Sequence, residues 1–234
     1  MKVSLIIPCY NESKSIPKLL ESCQTAFEEQ DVEVIIVDNG STDNTQEVLS
    51  DILANYSFIK LVTVKENIGY GDGILQGLNS ASGEIIGWTH ADLQTNPADI
   101  NSALTFFEQS NNIEAIFVKG DRYGRSIIDV FFTIGMALFE SMLMRTWMWD
   151  INAQPTLFHK SFFESWVEPP NDFSLDLFAY FTAKKKGLII KRFPVSFSER
   201  MYGVSSWNIS WSNKYKFIKR TLQFSFLLNQ RLKK

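Results

Sequence analysis

Short runs of β-branched and aliphatic residues recur through the first half of the chain, separated by stretches in which apolar positions return every three or four residues. "KVSLIIP" precedes a helical pattern over 14–29, "VEVIIVD" one over 45–54, and "FIKLVTV" one over 71–80. "EIIGWTH" precedes another over 97–110, and "IEAIFVKG" follows it. Near-continuous apolar strands alternating with amphipathic helices predict a mostly parallel sheet with helices on both faces, a doubly wound α/β fold. In such sheets ligands bind beyond the carboxyl ends of the strands. The residues just past the expected strand ends are "PCYNES", "DNGSTDNT", "KENIGYGDG", "HADLQTNP" and "GDRYGR", which gather Asp, Asn, Glu, Gly and Arg along one sheet edge.

The second half reads differently. A helix over 126–145 leads to "WDINAQPTLFHK", a helix over 173–186, a strand "LIIKRFPVSF", the segment "SERMYGVSSWNISW" and a final helix over 213–230. Acceptor recognition is expected from this half. The chain of 234 residues is long enough for one domain with an appended piece, and its 45% hydrophobic content argues against disorder. A net charge of −3 gives no pull towards nucleic acid, so none is expected as a partner. Two cysteines, Cys9 and Cys23, are too few for a disulfide framework. "MKVSLIIPCYNES" lacks the long apolar core of a signal peptide, so a cytoplasmic location is expected. The apolar run over 126–144 has only ten residues between Asp129 and Glu140, against roughly 20 for a bilayer span.

The chemistry is narrowed by what is missing. A nicotinamide-binding turn needs G-x-G-x-x-G after the first strand, where this chain has "PCYNES". "GYGDG" lacks the G-K-[ST] ending of a P-loop, so Gly69, Gly71 and Gly73 read on their own as a turn and helix start. Asp38 and Asp92, past the second and fourth strands, could approach one ligand from neighbouring strand ends. Ser41, Thr42 and Asp43 suit a helix N-cap, as do Thr95 and Asn96 before Pro97. Capping leaves His90, Asp92 and Gln94 unexplained. If the chain stays extended past the strand, these alternate positions point to one side, half of a metal shell.

"SLIIPCYNES", "VIIVDNGSTDNT", "ENIGYGDGILQGL" and "GWTHADLQTNP", in this order and spacing over about the first 120 residues, resemble the family-2 glycosyltransferases of GT-A fold, especially the dolichol-phosphate mannose synthase branch. Weaker likeness continues through most of the remainder. The resemblance implies a 1–205 catalytic domain, with a nucleotide-sugar half over 1–120 and an acceptor half over 121–205, followed by an amphipathic helix within 206–234. It implies that Pro8, Tyr10, Asn11, Glu12, Asp38 and Asn39 line the nucleotide pocket, and that Gly69, Gly71 and Ala91 approach the nucleotide or sugar. Asp92 would bind a divalent cation, Mn²⁺ or Mg²⁺, with Gln94 as a further ligand, and Arg122 and Arg200 would meet phosphate groups. Asp176 matches the acid that serves as general base in many relatives. If the acceptor is a lipid phosphate, no base is needed and Asp176 would position Arg200 or the acceptor. The implied reaction is inverting transfer of a hexose from a nucleoside diphosphate sugar to a polyprenyl phosphate or a lipid-linked or surface glycan.

The chain departs from the pattern in places. His90 replaces the first acid of the usual D-A-D-L-Q, which lowers the local negative charge and suits Mn²⁺ better than Mg²⁺. It could be a metal ligand, or a contact to substrate or to a ligand. Asn39 replaces an acid, Ser206 stands where a lysine is common, and "NAQP" replaces a Ser-Gly-Phe turn, so mannose and dolichol are not carried over. Asp172 could share a helical face with Asp176 or cap that helix. His159 is expected to pack or lie on the surface. The basic, aromatic C-terminal segment is compatible both with docking on the domain and with a bilayer interface, giving a peripheral enzyme at the inner face of the membrane. A nucleotidyltransferase is disfavoured by "PCYNES"; a degenerate transferase that binds without turnover is the non-enzyme alternative.

Overall fold

The computed structural model describes residues 1–198 and 211–231. The first half runs β1 (Val3–Cys9), α1 (Ile16–Phe27), β2 (Val32–Asn39), α2 (Thr45–Ile52), β3 (Ile59–Val64), α3 (Tyr70–Asn79), β4 (Ile85–Trp88), α4 (Asp99–Glu108) and β5 (Ile116–Tyr123). The second half adds α5 (Ile127–Leu143), β6 (Thr156–His159), α6 (Lys160–Glu164), α7 (Leu175–Lys185), β7 (Ile189–Ser196) and α8 (Trp211–Arg231). The strands form one sheet in the order β3-β2-β1-β4-β6-β5-β7. All neighbours are parallel except β6, which runs against both β4 and β5. The carboxyl ends of the other six strands and the amino end of β6 therefore share one edge.

The two-sided burial read from the sequence is borne out by the alternation within single strands. Leu5 and Ile7 of β1, with Val34 and Ile36 of β2, join α1, α2 and α4 in one core layer. Ile6, Ile35 and Val37 face the opposite way, towards α3, α6 and α7. Successive strand side chains point to opposite faces, so a strand that buries every residue needs a helical layer on each side.

Several helix starts differ from the sequence reading, and at two of them a turn ahead of the helix gives the reason. α4 begins at Asp99, because the Asn96 carboxamide accepts the Ala98 N–H at 3.0 Å and forms a turn ahead of the helix. Thr95 does not cap; it is buried against the Thr89 hydroxyl at 3.3 Å. α7 begins at Leu175, and the Asp172 carboxylate accepts the Ser174 N–H at 2.9 Å. Asp172 therefore lies ahead of α7 and does not share a helical face with Asp176.

α5 and α8 pack against each other, and Leu143 of α5 with Phe224 and Leu228 of α8 join the second core layer. The rings of Phe139 and Phe226 meet edge to face at 6.1 Å, and the Ser225 hydroxyl donates to the buried Glu140 carboxylate. Among the described residues no helix is long and apolar enough to cross a membrane.

Candidate active site

The strand order reverses direction between β1 and β4, and a crevice at such a switch point is where open α/β sheets bind ligands. Asp38, opposite Cys9 at the end of β2, is 2% exposed and accepts the Ser41 N–H at 3.1 Å. Asn11 holds a left-handed φ of 57°, which lets its carboxamide oxygen accept the N–H groups of Thr42 at 2.8 Å and Asp43 at 3.2 Å. The Glu12 N–H donates to the Thr45 hydroxyl at 2.9 Å, and its carboxylate accepts from the Ser15 hydroxyl at 2.6 Å. Asn11 and Glu12 thus lace the β1–α1 loop to the β2–α2 loop and build the wall of the crevice. Pro8 sits inside β1 opposite Val37. Tyr10 is 46% exposed, an aromatic face at this edge suited to stacking on a base.

Asn39 is buried and donates its amide to the Gly69 carbonyl at 2.9 Å, while its Oδ1 is buried without a hydrogen-bond partner. The glycines have a structural role besides the one implied by resemblance. Gly69 has φ 151°, and a Cβ there would fall 2.2 Å from the Asn171 carbonyl oxygen. One on Gly71 would fall 2.7 Å from backbone atoms of residues 170–172. These glycines let the segment before α7 lie across the start of α3, where the Asp72 N–H donates to Asn171 O at 2.9 Å. That contact delivers Phe173 onto Tyr70, stacked at 5.0 Å, and Tyr70 in turn lies 5.8 Å from the His90 ring.

The loop leaving β4 corrects the alternating geometry expected for residues 90, 92 and 94. The strand stops at Trp88 and the chain bends, with Leu93 at φ 57°. Ala91, expected near the nucleotide or sugar, packs its side chain in the apolar core. Asp92 is 4% exposed and accepts the Gln94 N–H at 3.1 Å. The Gln94 amide nitrogen donates to the Ser198 carbonyl at 3.1 Å, and the Gln94 carbonyl accepts the Ser198 N–H at 3.0 Å. Gln94 thereby fastens this loop to the chain leaving β7. Among the described residues no three His, Cys, Asp or Glu side chains converge on a point that could hold a metal. Asp92 offers one buried carboxylate and His90, two residues earlier in the same loop, one imidazole, which is an incomplete shell. Such donors would fit a divalent ion whose other ligands come from a diphosphate, and mixed oxygen and nitrogen donors suit Mn²⁺.

A buried polar network surrounds Asp176, which is 3% exposed. Its Oδ1 accepts from Gln154 Nε2 at 2.8 Å and Trp88 Nε1 at 3.3 Å, and lies 3.6 Å from Lys119 Nζ. Lys119 is fully buried in β5 and donates to the Ala153 carbonyl at 2.7 Å and the Thr156 hydroxyl at 2.9 Å. Burial lowers its ammonium to about 8, against the opposing pull of Asp176. Gln154 also donates to the Tyr70 hydroxyl at 3.3 Å. Burial, followed by the charges of Asp176 and Asp92, pushes that phenol well above its ordinary value. Tyr70 therefore stands as a neutral donor between the two acids.

Sequence reasoning missed Lys119, Gln154, Trp88 and Tyr70 as members of this site. The signal for Lys119 was present, a lysine inside the apolar run "AIFVKG" that must find partners if the strand is central.

Arg122, expected to meet a phosphate, is engaged by Asp150. Its Nε donates to both Asp150 oxygens at 3.1 and 3.2 Å, with Nη2 completing a bidentate pair, and its guanidinium lies 5.1 Å from the Phe197 ring. Arg125 reaches the same carboxylate at 3.6 Å. Asp150, another residue the sequence did not single out, anchors the start of α5 beside the end of β5. Arg200 and Ser206 lie outside the described residues. His159 ends β6 at the far edge of the sheet and accepts the Ser161 N–H at 3.2 Å, the packing role expected. Cys9 and Cys23 are free and buried.

Comparison with known proteins agrees with this geometry. Over 116 residues the chain is 38% identical to an undecaprenyl-phosphate 4-deoxy-4-formamido-L-arabinose transferase from Yersinia enterocolitica, covering 48% of this chain and 35% of that protein. A protein of the same description from Proteus mirabilis is 36% identical over 118 residues, with the same shares. The chain thus spans about a third of the length of these curated relatives. Glucosyl-3-phosphoglycerate synthase from Mycobacterium tuberculosis, solved with Mn²⁺, UDP and its product, superposes with a TM-score of 0.72 at 16% identity, over 97% of this chain and 79% of that one. That likeness establishes the fold, a GT-A glycosyltransferase architecture. The family model described as glycosyl transferase family 2 matches residues 4–164, through the crevice loops and both halves of the sheet, and the chain belongs to that family.

Proposed function

We propose that the chain is an inverting glycosyltransferase that moves a sugar from a nucleoside diphosphate donor to the phosphate of a polyprenyl lipid. The observation that carries the reading is the placement of two buried acids, Asp38 at the end of β2 and Asp92 past the end of β4, on the strands that flank β1 in a family-2 sheet. Tyr10 would stack on the base, Asp38 and Asn39 would meet the nucleoside, and Asp92 with His90 beside it would hold a divalent cation, Mn²⁺ in preference to Mg²⁺. When bound, that ion would neutralise charge on the departing diphosphate.

The state of Asp176 favours a phosphate acceptor over a sugar hydroxyl. Its Oδ1 is shared by Trp88, Gln154 and Lys119 inside the protein, whereas a general base must reach the proton it removes. A lipid phosphate brings its own anionic nucleophile and needs no base. Asp176 would then set the position of Gln154 and Tyr70, the polar groups next to the crevice. The relatives in Yersinia and Proteus, named for undecaprenyl phosphate, support the same class of acceptor. The reading places the enzyme in the cytoplasm, on the inner face of a membrane.

A panel of nucleoside diphosphates in a thermal-shift assay tests the donor side. One base raises the midpoint in the presence of Mn²⁺, and Asp92→Asn abolishes the increment while keeping the fold. Transfer from a labelled donor to undecaprenyl phosphate in detergent micelles tests the acceptor side. Nucleotide binding without turnover on any polyprenyl phosphate would instead establish a binding module, and the absence of both would end the proposal.

A further inference from the structure

One face of α5 is apolar and exposed. Ile127 is 88% exposed, Ile128 65%, Phe131 74%, Leu138 51% and Met142 80%. With the 38% exposed Ile134, these residues recur every three or four positions, so they form one stripe along the helix. The stripe reaches α8 through the Phe139 and Phe226 contact, where Phe226 and Leu227 are themselves half exposed. A contiguous apolar face of this kind marks a surface that is covered in use.

We infer that the α5–α8 pair docks on the headgroup region of an anionic lipid bilayer. Three observations select a bilayer from among the possible occupants. First, charge: α8 contains five Lys and Arg and no Asp or Glu, so a chain of net −3 carries −8 outside this one helix. Lys219 and Arg231 of this helix are exposed, and an anionic membrane complements a helix of this charge, whereas a second copy brings the same cations. Second, the flanks: Tyr123 ahead of α5 and Trp147 beyond it are 57% and 61% exposed, amphipathic rings at both ends of the stripe where a helix lying flat meets the headgroups. Third, the helix is built to lie flat and not to insert. Ser126 caps its start by accepting the Asp129 N–H at 3.2 Å, and Glu140 is turned inward to Ser225.

The same pair reaches the crevice. The Arg220 guanidinium of α8 lies 5.1 Å from the Phe173 ring, which stacks on Tyr70. Docking by this face would hold the crevice against the surface from which a lipid phosphate is drawn. That consequence rests on the proposed acceptor, but the docking itself does not, and it is measured without donor or acceptor.

Co-sedimentation of the full chain with vesicles of phosphatidylcholine and phosphatidylglycerol tests it. The wild-type chain sediments with these vesicles, less with phosphatidylcholine alone, and less as salt is raised. Phe131→Asp with Met142→Asp lowers the partition at least tenfold, and both positions are exposed, so the thermal midpoint and nucleotide binding stay unchanged. Lys219→Glu, on the exposed side of α8, weakens binding to anionic vesicles alone. Three results would overturn the inference. They are no sedimentation of the wild type with anionic vesicles, equal sedimentation of the double variant, and a lipid-free dimer that the double variant splits into monomers. If docking holds while polyprenyl-phosphate transfer fails, the acceptor assignment falls and the docking surface stands.

Discussion

Lys119 Nζ lies 3.6 Å from Oδ1 of Asp176, with neither side chain more than 4% exposed. A buried pair of this kind adds little over an apolar replacement of both partners, but losing one partner leaves an uncompensated charge in the interior. Lys119→Met should therefore cost about 3 kcal/mol in urea unfolding, and the double variant Lys119→Met with Asp176→Asn should lie closer to wild type than the sum of the singles. Additive losses would show that the two side chains do not act as a pair.

Lys119 also predicts a pH dependence. Its ammonium is lowered to about 8 from 10.5, so between those values the unfolded chain binds a proton that the folded chain does not. Stability contributed by this group rises with pH across that window. The slope should vanish in Lys119→Met, as followed by thermal midpoints in alkaline buffers.

Glu140 predicts the opposite slope on the acid side. Burial raises its carboxyl from 4.5 to about 7, against the hydrogen bond from Ser225. Between those values the folded chain keeps a proton that the unfolded chain loses, so stability falls as pH rises through the window. Glu140→Gln keeps the shape without the charge and should flatten this dependence, with urea midpoints below and above the window as the measurement. An unchanged slope would place the titration elsewhere.

Two glycines separate close approach from helix propensity. Gly71→Ala sets a methyl group 2.7 Å from the backbone of residues 170–172, none of which can yield cheaply, so it should displace Phe173 from Tyr70 and destabilise by more than about 2 kcal/mol. Gly135, inside α5, has nothing within 4 Å, so Gly135→Ala should stabilise by about 0.5–1 kcal/mol. Chemical denaturation of both variants checks the pair of signs.

Asp150→Asn removes the shared acceptor of Arg122 and Arg125 and leaves two guanidinium groups facing each other. Burial alone would raise the Asp150 carboxyl, but the hydrogen bonds and charge of Arg122, aided by Arg125, hold it below its ordinary value. That stability is present at neutral pH and lost as pH falls through the lowered value. The variant should lose about 3 kcal/mol at neutral pH and show less acid destabilisation than wild type.

Much of the fold was legible because its signals are local. Period-two burial on both sides of "SLIIP" and "VIIV" and the intervening helical periods were enough to place parallel strands and one polar edge. The four crevice segments were legible as well, since each follows a strand directly. The helix starts were less so: Pro97 and Asp172 carry good start signals, yet the neighbouring turns set both helices to begin two or three residues later.

What the sequence determined by itself is the set of acids and loops at the sheet edge, because strand polarity alone carries Asp38 and Asp92 there. What only the tertiary structure decided is how those groups are used. Gly69 and Gly71 serve a crossing with residues 170–172, Arg122 is drawn to Asp150, and Asp176 meets Lys119 from a position 57 residues earlier in the chain. Such pairings depend on β6 inserting antiparallel between β4 and β5, a long-range event that brings Gln154 and Lys119 under α7. No local period records it, because its driving force is the joint burial of polar groups that find partners only once the sheet has closed around them.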